Sequence, residues 1–163
     1  MKFSGIDALA TGIVSLVAGI QFLRAIRDFS LVFYETIFLI ASLVAAVKIF
    51  MPVHNLSGLS VPVSFLVIFV IFAILGIIIA SIFNQTLEFG FGSFNYFFGL
   101  LIGIACGFVV GHTALRTLII AYRETKPELV ESIHRSWMAS QVLYFGAFRE
   151  LLGMLRIARY HNI

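Results

Sequence analysis

Residues 61–83 form a run of 23 positions without a charge, built mainly from Ile, Val, Phe and Leu. A helix of that length rises about 35 Å, enough to cross the hydrocarbon core of a bilayer, about 30 Å thick. Lipid offers no partner to a backbone N–H or C=O, so such a span has to be a helix within a helical protein. The run therefore sets the class of the molecule. Charged residues make up 12% of the chain and hydrophobic ones 61%, against about 25% charged in a soluble domain.

Three further stretches have the same character. Residues 8–23 are uncharged and lie between Asp7 and Arg24. They rise about 24 Å, and the two flanking charges complete the span at the headgroups. Residues 29–47 are apolar except for Glu35, and Lys48 closes the second span. Pro52, His54, Asn55, Ser57, Gly58 and Ser60 make a polar turn before the third span. Residues 84–93 form the next turn, and residues 94–115 the fourth span, with Arg116 marking its end. The expected fold is an all-α integral membrane protein. Four transmembrane helices form a bundle over residues 1–121, and residues 122–163 form an amphipathic tail.

The fourth span carries Gly99, Gly103, Gly107 and Gly111, four glycines at intervals of four. On a helix they wind slowly as one smooth strip, drifting about 40° per step. Each would cost about 1 kcal/mol in a water-exposed helix interior. In lipid the strip lets another helix approach closely. It is the expected packing seam, either within the chain or, as a glycine zipper, between protomers. Gly5, Gly12 and Gly19, seven apart, give the first span a small-residue face of its own.

In the tail, Thr125 and Pro127 signal a helix start. Val130, Ile133, Trp137, Tyr144, Phe148, Leu151 and Leu155 then recur at three, four or seven. This stripe has a polar interruption at Ser140 and an expected bend near Gly146. The tail is too polar to span. It is expected to lie in the interface, with Trp137, Tyr144, Arg149 and Arg156 as anchors, or else to fold against the bundle.

The charges near the membrane are the candidates for chemistry. Asp7 suits the N-terminal cap of the first helix, or a protonatable site at the membrane edge. Glu35 lies within an apolar span, where an acid is costly and is paired or faces a cavity. Arg24 or Arg27 is the expected partner, and a proton or substrate site is the alternative. Arg116, one turn after His112, suits the C-terminal dipole of the glycine helix or a lipid headgroup. The four histidines show no ligand spacing, so no metal site is expected. No nucleophile motif and no phosphate-cradling loop is present, so no catalytic residue, no cofactor and no nucleic-acid partner is expected. Cys106 is the single cysteine, which rules out a disulfide within the chain.

Orientation follows short-loop Lys and Arg. Lys2, Lys48, Arg116, Arg123 and Lys126 fall on the side of the termini, against Arg24 and Arg27 opposite. The count favours both termini in the cytoplasm.

The order of features carries a resemblance. Ile6-Asp7 opens the first span, Arg24 closes it, and Glu35 lies early in the second. After the third span and its turn comes Phe97-Phe98-Gly99-Leu-Leu-Ile-Gly103-Ile-Ala-Cys-Gly107-Phe-Val-Val. The tail contains Ser136-Trp137-Met-Ala-Ser140-Gln141-Val-Leu. Along nearly the whole chain this resembles the colicin V production protein family of bacterial inner-membrane proteins. The chain departs from that pattern in four places. Ala25 follows Arg24 where the family tends to have Gly, and Tyr34 precedes Glu35 where a basic residue is usual. Cys106 precedes Gly107 where an Arg is frequent, and Phe94-Asn95 stands where an Asp-Arg pair occurs. The resemblance implies ends facing out of the cytoplasm, against this chain's own charge count. It also implies a link to peptide toxin production or export, or to envelope maintenance, without a cofactor.

Two functions are expected from these features. One is a non-enzymatic accessory protein of the inner membrane, packing against itself or another membrane protein. The other is a subunit of a small oligomeric channel or transporter with Glu35 lining the path.

Overall fold

The computed structural model describes residues 5–145; Arg149, Arg156 and the tail stripe beyond Phe145 lie outside the described residues. The helices run in the order α1 (Gly5–Arg27), α2 (Phe29–Ser57), α3 (Val61–Thr86), α4 (Asn95–Tyr122), α5 (Pro127–Arg135) and α6 (Trp137–Tyr144), with a short 3₁₀ turn at Gly92–Phe94. The four long helices are each long and apolar enough to cross a membrane. The protein is thus an all-α, multi-pass membrane protein. Its outside is apolar: Ile71, Ile74, Ile77, Ile78 and Ile82 of α3 are all exposed, as lipid-facing side chains are.

All four helices are longer than the expected spans, and α2 and α4 overrun their expected ends the furthest. Helix α2 continues through Lys48 and Pro52 and ends at Gly58, whose φ of 68° is left-handed and whose N–H caps the His54 carbonyl at 3.1 Å. Glycine meets that conformation without a Cβ clash. The polar turn is therefore only Gly58–Ser60. Helix α4 runs past Arg116 to Tyr122. Arg116 lies more than a turn before the helix end, beyond the reach of the C-terminal dipole.

The glycine strip packs inside the chain. A Cβ on Gly103 would lie 2.6 Å from the Ala18 carbonyl oxygen, and one on Gly107 would lie 2.6 Å from that of Val14. Gly99 meets Ala25, and Gly111 meets Val142 and Val14. The ascending strip on α4 thus matches a descending one on antiparallel α1. The stripe that receives it is Val14, Ala18 and Ala25, all buried. Gly5, Gly12 and Gly19 face elsewhere; nothing lies within 4 Å of a Cβ built on any of them. Helices α2 and α3 make a second close approach, where a Cβ on Gly76 would lie 2.7 Å from that of Phe38.

The tail is not one continuous stripe. It breaks at Ser136 into α5 and α6, which fold back on the bundle. Ile133, Ala139 and Val142 share a buried cluster with Ala10, Val14 and Leu115. Helix α6 starts beside Asp7 and ends at Phe145, whose ring stacks on His112 at 5.2 Å and lies 6.4 Å from Phe108. Those two residues lie about halfway along α4, so α6 descends along the bundle. Trp137 and Tyr144, 58% and 56% exposed, remain on the outside.

Candidate functional site

At the end of the bundle away from the tail, α1 and α2 are joined through Asp28 alone. This tight link sets Arg24, in the last turn of α1, beside Glu35, in the second turn of α2. Arg24 donates through Nη1 to Oε2 and through Nη2 to Oε1 of Glu35, both at 2.7 Å. The two-pronged geometry is the strongest form of a charge-assisted hydrogen bond. Glu35 is 8% exposed in its side chain and Arg24 44%. The acid is thus buried and its cation reaches the surface. Of the two expected partners, Arg24 makes the pair; Arg27 is exposed at the end of α1.

The pair extends into α4. Arg24 Nη1 also donates to Gln21 Oε1 at 3.0 Å, and Gln21 Nε2 donates to Cys106 Sγ at 3.6 Å. Cys106 is buried.

A second polar knot binds the start of α2 to the end of α3. Asp28 caps α2 by accepting from the Leu31 N–H at 3.0 Å. Asn84 Nδ2 donates to its other oxygen at 2.9 Å, and the Ser30 hydroxyl donates to Asn84 Oδ1. Beside it the rings of Phe29, Phe33, Phe89, Phe91 and Phe98 cluster with centroids 4.9–6.4 Å apart, Phe29 meeting Phe89, Phe91 and Phe98 edge to face. No local sequence pattern marks this knot. An Asn just after an apolar run reads as a turn residue, and only the fold shows that it faces Asp28.

Asp7 belongs to the opposite end. It lies in the first turn of α1, and its described contacts reach across to the tail. Its Oδ1 accepts from the Ser136 hydroxyl at 2.6 Å and from the Met138 N–H at 3.0 Å. Ser136 in turn accepts from the Ala139 N–H at 3.1 Å. The carboxylate therefore sits at the N-terminus of α6, where the helix dipole favours a negative charge. It is 8% exposed. Sequence spacing could not find this contact, because 129 residues separate the partners.

Arg116 lies over the Phe65 ring, 6.0 Å from its centroid. His112 is buried, and its Nδ1 has no hydrogen-bond partner among the described residues. Among those residues no group of three or more His, Cys, Asp or Glu side chains could hold a metal ion. What this arrangement does chemically is satisfy buried carboxylates: Glu35 pairs with Arg24, and Asp7 accepts from a hydroxyl and a backbone N–H.

No family model, curated protein or solved structure matches this chain.

Proposed function

We propose that this protein is a non-enzymatic accessory protein of the bacterial inner membrane. In that reading it supports peptide toxin production or export, or envelope maintenance, as its resemblance to the colicin V production family implies. It acts by holding a second membrane helix, from another copy or from a partner protein. Its two termini lie on the cytoplasmic side, following the charge count.

One observation carries the reading. The strip at Gly99, Gly103, Gly107 and Gly111 is occupied by α1, while Gly12 and Gly19 have open space where a Cβ would sit. Small residues on an open face let a further helix come close in lipid, where close packing and interhelical contacts drive association. The docking face is therefore the outer side of α1.

The test is co-purification from native membranes of the wild-type chain and of Gly12→Leu/Gly19→Leu. The reading predicts that the variant folds, loses its bound partner or second copy, and loses the associated export or envelope phenotype. A variant that retains both contradicts it.

A further inference from the structure

Two clefts lie along the seam of α2 with α4. The upper one, about 480 Å³, opens at the end of the bundle that carries α5. Phe50, Val61 and Ile119 form apolar wall, and Arg116, Arg123 and Glu124 supply the charge. The lower one, about 280 Å³, is almost wholly apolar and is lined by Ile40, Val44, Val109 and Phe145 among others. Val44 and Met51 border the lower and upper clefts; seven residues of α2 separate them, about 10 Å of helix rise.

Among the described residues neither Arg116 nor Arg123 pairs with a carboxylate. Arg24 and Arg135 each pair with a carboxylate. Arg116 makes no such pair among the described residues; its guanidinium rests on the Phe65 ring, which is fully buried. A ring in that position fixes the cation while leaving its N–H donors available. Two arginines against one glutamate leave the cleft positive. The planar guanidinium fork matches a multidentate oxyanion such as phosphate.

We propose that the upper cleft seats the phosphate of an anionic phospholipid, with one acyl chain running down the α2–α4 seam into the lower cleft. A free phosphate would use the same arginines but would leave the apolar wall and the lower cleft without an occupant. A lipid satisfies all three, and a basic pocket between transmembrane helices is a setting in which headgroups bind. The site is separate from the outer face of α1 and does not depend on what that face holds.

Native mass spectrometry of the full chain in detergent tests the assignment, with phosphatidylglycerol, phosphatidylcholine and inorganic phosphate as probes. Phosphatidylglycerol is expected to be retained in preference to phosphatidylcholine, and inorganic phosphate should fail to displace it. Arg116→Gln/Arg123→Gln should lower phosphatidylglycerol retention about tenfold, the loss of charge-assisted contacts. Arg27→Gln, at the other end of the bundle, should leave it unchanged. Ile119→Trp fills the upper cleft without altering charge and should also lower retention, so the test does not rest on one variant's folding. Equal retention in the double variant and Arg27→Gln, or unchanged retention in Ile119→Trp, overturns the proposal. Displacement by inorganic phosphate overturns it too, by showing a soluble-anion site.

Discussion

Arg24 and Glu35 lie eleven residues apart across a one-residue link and meet through two N–H···O contacts of 2.7 Å each. The partners are unequally placed. Glu35 is buried, whereas Arg24 is 44% exposed in its side chain and can reach the headgroups.

This inequality sets the order of damage on mutation. Arg24→Ala strands a carboxylate in an apolar setting, a loss of about 3–5 kcal/mol. Glu35→Ala leaves an arginine that can still turn outward, so its loss should be smaller. A well-packed apolar pair at both positions should recover most of the stability, because the pair's attraction roughly offsets its desolvation. Unfolding of the three variants in detergent micelles checks the order. If Glu35→Ala is the more damaging single change, Glu35 has a task beyond pairing.

The two sets of glycines should respond in opposite ways. Gly103→Ala and Gly107→Ala each set a Cβ against a backbone carbonyl at 2.6 Å, which only a movement of α1 relieves. Overpacking of this kind costs about 1–3 kcal/mol. Gly12→Ala and Gly19→Ala meet open space and should leave the stability of the single chain unchanged or slightly raised. Thermal unfolding of the four variants separates the groups.

The tail is held at Asp7. Asp7→Ala leaves the Ser136 hydroxyl and the Met138 N–H without that acceptor, a loss of about 1–3 kcal/mol for buried donors. Hydrogen exchange at Met138 and Ala139 should speed up while amides in the middle of α3 keep their protection. Asp7→Asn keeps an oxygen acceptor and should show a smaller change. Equal exchange in all three proteins would mean that the apolar contacts of Ile133 and Val142 hold the tail without the carboxylate.

Much of this fold is legible in the sequence because lipid simplifies the problem. Uncharged length identified four spans, and an acid inside one of them pointed to a neighbouring arginine. What the sequence misplaced lay at boundaries and over long separations. Lys48 and Arg116 read as span ends and Pro52 as a turn residue, yet α2 and α4 continue past them; a helix can leave the hydrocarbon without stopping. Seven-residue glycine spacing drew attention to Gly12 and Gly19. The stripe that receives the glycine column is instead Val14, Ala18 and Ala25, whose side chains do not stand out in an apolar run. The Asp7–Ser136 contact depends on the tail folding back, which no local pattern encodes.

The proposed docking of another helix on the outer face of α1 is open to site-specific photocrosslinking in intact membranes, with the probe at Leu16, which is exposed between Gly12 and Gly19, and at Ile77 on α3 as a lipid-facing comparison. Leu16 is expected to give protein adducts that vanish in Gly12→Leu/Gly19→Leu, and Ile77 only lipid adducts. Indistinguishable adducts from the two positions would contradict it.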